Sequence, residues 1–158
     1  MNNKKGFTLI ELLVVIAVLG ILSAVVLVAI NPAERLRSAR DAGAKSDIGQ
    51  IATALESYYT DTNGTYPLTV STLSSLITGG YLKQVPSVPA GTGSDDAAYQ
   101  YASFDSAGGD CTGTESCDGA VVWYDLEAAA AGTAVDWCYQ TATGTASIVA
   151  SGTCAQGL

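Results

Sequence analysis

Residues 7–30 have the sequence FTLIELLVVIAVLGILSAVVLVAI, in which Glu11 is the only charged residue. A helix of this length extends about 36 Å, which exceeds the ~30 Å thickness of the hydrocarbon core of a bilayer. Lys4 and Lys5 precede the stretch, and the next basic residue is Arg35. The sequence therefore predicts a transmembrane helix over residues 7–30, with the short basic N-terminus on the cytoplasmic side.

A cleaved secretory signal peptide is the alternative for the same stretch. Its apolar region is typically about 7–15 residues long and ends at a small-residue cleavage site. The apolar run here is longer, contains a carboxylate near its start and leads directly into a second helical pattern. These differences favour a membrane helix that stays in the protein.

The carboxylate of Glu11 is unusual inside an apolar span. Burying a charge in a bilayer is costly, so ionisable residues in membrane helices commonly mark a contact with a partner. Alternatively, a glutamate near the end of the span can extend its side chain to the headgroup layer and have no further role. The residues around Glu11 favour the first interpretation.

The segment at the start of the apolar run reads Lys4-Lys5-Gly6-Phe7-Thr8-Leu9-Ile10-Glu11. A short basic leader, a glycine, a phenylalanine and a glutamate four residues later resemble the class III signal of type IV pilins and related pseudopilins. The resemblance implies that a prepilin peptidase cleaves the bond after Gly6 and methylates the new N-terminal Phe7. Residues 1–6 would then form a leader peptide.

The same resemblance gives Glu11 a partner. Cleavage after Gly6 creates a positively charged amine on Phe7 in an apolar environment, and a buried carboxylate is tolerated when it pairs with a buried cation. In the family, this glutamate is thought to meet the N-terminal amine of a neighbouring subunit during filament assembly. The resemblance therefore assigns Glu11, and with it Thr8, to the assembly of subunits in register.

Residues 31–60 predict an amphipathic helix. The segment Asn31-Pro32-Ala33-Glu34 has the composition of a helix start, with a capping residue, a proline at the first helical position and a glutamate at the third. Apolar residues then recur at intervals of three or four and form one stripe: Ala44, Ile48, Ile51, Leu55 and Tyr58. The pattern stops near Asp61, before a predicted turn at Asn63-Gly64.

Residues 61–158 predict a globular head that is rich in Gly, Ser, Thr and Ala. It contains one short helical pattern, around Thr72–Ile77, and four segments with the composition of strands. These segments are Tyr99–Phe104, Ala120–Leu126, Val135–Gln140 and Ala146–Ala150. An antiparallel sheet packed on the amphipathic helix is the simplest architecture, so the predicted fold class is α+β.

A second resemblance covers the first part of the head. The residues that carry it are Tyr58-Tyr59, Asn63-Gly64-Thr65-Tyr66-Pro67, Gly79-Gly80-Tyr81-Leu82-Lys83, Pro86, Pro89 and Tyr99-x-Tyr101. They are similar to the head region of short pilins, including the major pseudopilins of type II secretion and the competence pilins. The similarity ends near residue 104. It implies the pilin fold, in which a long N-terminal helix packs on a small antiparallel sheet.

All cysteines of the chain lie in the predicted head, on the exported side of the membrane. They are Cys111, Cys117, Cys138 and Cys154. A small head in an oxidising compartment favours disulfides, and of the three pairings we predict Cys111–Cys117 and Cys138–Cys154. A four-cysteine zinc site is the alternative, but the spacings contain no Cys-x2-Cys pair.

The charge distribution excludes several classes of function. Fifteen acidic against seven basic residues give a formal net charge of −8, and there is no histidine. The chain lacks the clustered bases of a nucleic-acid-binding protein, and it has no recognisable catalytic motif, so we predict that it is not an enzyme. Calcium is the one cofactor candidate, because hard cations bind several carboxylate oxygens, although solvated surface acids are the simpler interpretation. The candidate ligands are Asp95, Asp96, Asp105, Asp110 and Asp118.

These patterns together predict a structural subunit of a type IV pilus filament. The chain would be processed by a prepilin peptidase, held in the inner or cytoplasmic membrane and then polymerised with copies of itself into an extracellular filament. An assembly ATPase and a membrane platform protein are the further partners that the resemblance implies. Two alternatives remain: a pseudopilin that serves type II secretion or competence, and a single-span membrane-anchored binding module that does not polymerise.

Overall fold

The computed structural model describes residues 6–69, 73–89, 98–113, 116–127 and 134–154. The chain divides into two compact units, Met1–Leu36 and Arg37–Leu158. Two long helices come first, α1 at Leu9–Ile30 and α2 at Pro32–Asp61, and a short helix, α3, follows at Ser74–Thr78. Four strands complete the described elements: β1 at Gln100–Phe104, β2 at Gly119–Asp125, β3 at Val135–Gln140 and β4 at Thr145–Ala150.

The break between the two long helices lies where the sequence predicts a helix start. Asn31 has a left-handed backbone conformation with φ 44°, which ends α1. Pro32 is the first residue of α2, a position where its missing N–H breaks no helical hydrogen bond. The carbonyl oxygen of Asn31 accepts the backbone N–H of Glu34 at 3.1 Å, so the new helix begins on the residue that ends the first.

The predicted apolar stripe is the face of α2 that packs on the head. Ala44, Ile48, Ile51 and Leu55 are almost completely buried, and they share a core cluster with Tyr124 and other residues from the sheet. Tyr58, the last member of the stripe, is partly buried against the same cluster. The i, i+3, i+4 spacing thus places one side of the helix in the core and leaves the other in solvent.

The sheet is antiparallel, with strand order β1-β2-β3-β4. Alternate residues of β2 face opposite sides: Val122 and Tyr124 belong to the cluster under α2, whereas Val121 lies in a second cluster on the outer face. The outer cluster also contains Phe104 and Cys138. The α+β architecture is the predicted one, and each strand begins and ends within one residue of its predicted bounds.

Both disulfides have the predicted pairing. Cys111 and Cys117, with Cα atoms 5.9 Å apart, close a short loop between β1 and β2. Cys138 and Cys154, with Cα atoms 5.7 Å apart, join the last described residue to β3 on the outer face. All four cysteines are therefore in disulfides, which removes the donor set of the alternative zinc site.

Carboxylates of α2 hold the head through tyrosine hydroxyls. Glu56 accepts hydrogen bonds from the hydroxyls of Tyr66, at 3.3 Å, and Tyr139, at 3.0 Å. Asp47 accepts one from Tyr99 at 2.7 Å. These bonds satisfy polar atoms at the margin of the core without a basic residue, in a head that has only Lys83 as a base after residue 60.

We expect this arrangement to make the head sensitive to alkali. Burial, with a further contribution from the Glu56 carboxylate, raises the pKa of Tyr66 and of Tyr139 to about 12. Phenols of the unfolded chain lose their protons near pH 10, so the stabilisation is fully present below pH 10 and is lost as the pH rises from about 10 to about 12. The melting temperature of the head, followed by circular dichroism of the full chain in detergent, should fall steeply in that interval.

The matched control is Tyr139→Phe, which removes one of the titrating phenols. Its melting temperature should fall less steeply between pH 10 and pH 12 than that of the parent chain. A parent melting temperature that stays constant from pH 9 to pH 12 would contradict the assignment of these hydrogen bonds.

Candidate functional site

The start of α1 is organised by a reciprocal pair of hydrogen bonds between Thr8 and Glu11. The backbone N–H of Glu11 donates to Thr8 Oγ1 at 3.3 Å, and the backbone N–H of Thr8 donates to Glu11 Oε2 at 3.0 Å. The hydroxyl of Thr8 also donates to Glu11 Oε2, at 2.9 Å. This capping box satisfies backbone N–H groups that have no partner in the first turn of a helix.

The capping box gives Glu11 a local role that the sequence analysis missed. The motif Ser/Thr-x-x-Glu is visible in Thr8-Leu9-Ile10-Glu11 and would have predicted it. Thr8 and Glu11, which the resemblance assigned to assembly, are thus in direct contact with each other. Glu11 Oε2 accepts two of these hydrogen bonds, both from Thr8, so the anionic group is held at the first turn of the helix.

The predicted cleavage site precedes the helix. Gly6, Phe7 and Thr8 are not helical, and all three are exposed, with 89% of Phe7 accessible. A Cβ atom placed on Gly6 would meet no other atom within 4 Å. The bond between Gly6 and Phe7 is therefore accessible to an enzyme, and the glycine is not required by packing inside this chain.

The surface of α1 is apolar on every side. None of its residues is buried, and its mean hydropathy of 3.2 identifies it as the one described helix that is long and apolar enough to cross a membrane. The hydroxyl of Ser23 donates to the carbonyl of Leu19 at 2.8 Å, so this polar side chain is satisfied within the helix. A helix that is hydrophobic all round needs lipid or other helices around it.

Comparisons with known proteins identify this N-terminal arrangement. The family described as the prokaryotic N-terminal methylation motif matches residues 1–27, which include the predicted cleavage site and Glu11. The type II secretion system core protein G of Pseudomonas aeruginosa is 39% identical over 113 residues, which cover 63% of this chain and 74% of that protein. The chain belongs to the core protein G family.

Further members of the core protein G family show similar agreement. The protein from Vibrio cholerae is 35% identical over 65% of this chain and 73% of its own length. That from Aeromonas hydrophila is 37% identical over 57% of this chain and 70% of its own length. No solved structure matches the chain. The predicted membership of the pilin and pseudopilin family is confirmed.

The acidic residues of this core protein G homologue that were predicted as calcium ligands do not form a metal site among the described residues. Asp105 accepts the backbone N–H groups of Ala107, at 2.9 Å, and Gly109, at 2.8 Å, and so stabilises its own loop. Asp110 and Asp118 are exposed nearby, whereas Asp95 and Asp96 lie outside the described residues. In the part of the chain that the structure describes, no three acidic, cysteine or histidine side chains are grouped to hold a metal. Calcium binding stays a prediction.

Proposed function

We propose that this chain is a pseudopilin, a subunit of a filament that serves type II protein secretion from the cell envelope. The observation that carries the proposal is the extended match to core protein G of type II secretion systems, which covers 74% of the Pseudomonas aeruginosa protein. The match extends well beyond the methylation motif, which ends at residue 27, and so includes part of the head. Members of this family are structural subunits and not enzymes.

The comparisons favour the secretion alternative over the surface pilus that the sequence analysis put first. The relatives named above are core proteins of secretion systems, and a filament outside the cell has no support from them. We therefore place the chain in the inner membrane through α1, with its head on the exported side. The single-span binding module that never polymerises is disfavoured by the same relatives.

The proposed mechanism of assembly follows from the exposed helix and its carboxylate. Once the leader is removed, α1 begins at a charged amine on Phe7 and presents apolar side chains in all directions. Packing α1 of one copy against α1 of the next keeps these side chains out of water when the subunit leaves the bilayer. Glu11 then pairs with the amine of a neighbouring copy, and any other register leaves a buried charge without a partner.

The partners follow from this scheme. A prepilin peptidase cleaves after Gly6 and methylates Phe7, and copies of the chain form the polymer. A membrane platform protein and a cytoplasmic ATPase drive extraction of the subunit from the bilayer. The ATPase acts on the platform and does not contact the head, because the head lies on the other side of the membrane.

Mass spectrometry of the native host tests the proposal. We expect a peptide that begins at Phe7 and carries one added methyl group, in the membrane fraction of cells grown normally. Deletion of the gene should leave the substrates of the secretion system inside the cell, and the intact gene should restore their release. An uncleaved leader, or unchanged secretion in the deletion strain together with abundant sheared surface filaments that contain the chain, would contradict the pseudopilin assignment.

A further inference from the structure

Exposed acidic residues collect at one end of the sheet. β1 ends at Phe104 and β2 begins at Gly119. The segment that connects these two strands therefore lies at the end of the sheet where β1 stops and β2 starts. The backbone of Asp110 forms an isolated antiparallel β-bridge with that of Phe104, and the backbone N–H of Asp118 donates to the Phe104 carbonyl at 2.9 Å. Both aspartates are exposed. Neither side chain has a hydrogen-bond or ion-pair partner among the described residues. We call Asp110 and Asp118 the acidic end.

Basic residues occupy the opposite end of the same unit. β2 runs from the acidic end for about 20 Å, and Glu127, two residues beyond it, pairs with Arg40 at 3.0 Å. Lys45, on the next turns of α2, lies over the ring of Trp137 with its Nζ atom 4.8 Å from the ring centroid. Arg40 and Lys45 are thus engaged within the head.

Arg37 is the base left over at this end. It is exposed and, in the described ranges, has neither an ion pair nor a hydrogen bond from its guanidinium. Glu34, three residues earlier on α2, is exposed and forms no ion pair with it. The other acids near it are occupied inside the head: Asp41 is 4% exposed and accepts the backbone N–H of Glu127, whose carboxylate is 2% exposed and pairs with Arg40. A guanidinium without a carboxylate is therefore presented to solvent at one end of the head, and carboxylates without a cation at the other.

Polymerisation makes these unpaired charges important. Removal of residues 1–6 takes away Lys4 and Lys5, which leaves five bases against fifteen acids and a formal side-chain charge of −10. Copies with this charge repel each other when their heads are brought together. Contacts between unlike patches on opposite ends of a molecule are heterologous, and when the rotation does not close a ring they generate an open helical polymer.

We propose that Arg37 of one copy binds the acidic end of a second copy, and that this head-to-tail ion pair is a contact of the assembled filament. The inference rests on the proposed function, since it requires a polymer. A second copy is the occupant because it supplies the complementary charge in the matching position on every subunit. Asp110 and Asp118 offer carboxylates to one guanidinium, a combination that favours charge-assisted hydrogen bonds.

Chemical cross-linking tests the contact directly. The variant Arg37→Lys keeps the charge and provides an amine that a carbodiimide joins to a carboxylate without a spacer. Filaments assembled from a mixture of isotopically heavy and light chains should yield a linked peptide that contains position 37 of one isotope and Asp110 or Asp118 of the other. Filaments in normal amount that give no such mixed peptide would overturn the proposal and leave the proposed function intact.

Charge exchange tests the contribution to assembly. Arg37→Glu should lower the filament yield about fivefold, the factor for a single exposed ion pair, and the combination Arg37→Glu with Asp118→Arg should restore most of it. Lys83→Glu makes the same change in net charge at another exposed base and should leave the yield unchanged. A loss with Lys83→Glu but not with Arg37→Glu would overturn the proposal.

The alternative partner of Arg37 is a lipid headgroup in place of a second copy of the chain. If Arg37 binds anionic headgroups instead, Arg37→Glu weakens binding of the chain to phosphatidylglycerol vesicles, and Asp118→Arg does not restore assembly. That result would overturn the ion pair between copies. If the unchanged chain forms no filament, both the proposed function and this contact are refuted. If the unchanged chain forms filaments and the charge variants behave otherwise than expected, only the contact is refuted.

Discussion

Replacement of Glu11 by valine should reduce filament formation by at least about 100-fold. Removing one partner of a buried ion pair costs about 3–5 kcal/mol because the other charge is left without compensation, and each 1.4 kcal/mol is a factor of ten. In this variant the uncompensated charge is the amine of Phe7 on the neighbouring copy. Processing should continue, since Glu11 is the fifth residue after the predicted cleavage site. The measurement is the yield of sheared or cross-linked polymer, normalised to the amount of processed subunit.

Glu11→Gln separates the charge from the helix cap. Glutamine can take the place of glutamate in a capping box, so this variant keeps the bond from the Thr8 backbone that the structure shows at 3.0 Å. It removes the negative charge, and we expect it to assemble almost as poorly as the valine variant. Thr8→Val is the complementary change, which weakens the cap and keeps the charge. If Glu11→Gln assembles normally and Thr8→Val does not, the carboxylate acts as a cap and not as a partner of the amine.

Gly6→Leu should block processing and, as a consequence, polymerisation. A Cβ atom on Gly6 would meet nothing within 4 Å apart from its chain neighbours, so we expect the substitution to leave the fold unaffected and to act on recognition by the peptidase. The uncleaved chain has no amine on Phe7, and Glu11 therefore has no cation to pair with. We expect the precursor to account for almost all of the protein in a blot that separates the two forms, with a loss of polymer as large as that of the Glu11 variants.

The control for Gly6→Leu is Asn2→Leu, which adds the same side chain to the leader away from the cleaved bond. It should be processed and assembled like the parent chain. Efficient cleavage of the Gly6→Leu chain after position 6 would refute the requirement for glycine, and cleavage of the parent chain at another bond would refute the assigned site.

The elements of the fold were predictable because each has a strong local pattern. The apolar run of α1, the stripe of α2 and the composition of the strands each follow from neighbouring residues, and the break at Asn31-Pro32 follows from backbone chemistry. Strand order could be guessed only in so far as consecutive strands tend to pair. The strand β3 has its predicted bounds, whereas β1, β2 and β4 differ from theirs by one residue, because the sheet register and not the local composition decides where a strand ends.

The contacts that hold the head were not predictable. Arg40 and Glu127 are 87 residues apart, and Glu56 receives hydroxyls from Tyr66 and Tyr139 on different elements. Such pairs depend on how the sheet lies on α2, which periodicity does not specify. The same division holds for the functional residues. The cleavage motif is local and could be predicted, whereas the position of Arg37 and the acidic end at opposite ends of the head follows only from the placement of β2 between them.

The left-handed residue between the long helices has a mechanical consequence. Asn31 at φ 44° and Pro32, which has no N–H, interrupt the ladder of i to i−4 hydrogen bonds that otherwise carries load along α1 and α2. A filament subunit pulled along its length should therefore yield at this joint before either helix does. The length per residue rises from 1.5 Å in the helix to as much as about 3.5 Å for each residue that unwinds there. A strained polymer should therefore extend at Asn31 while its heads stay folded.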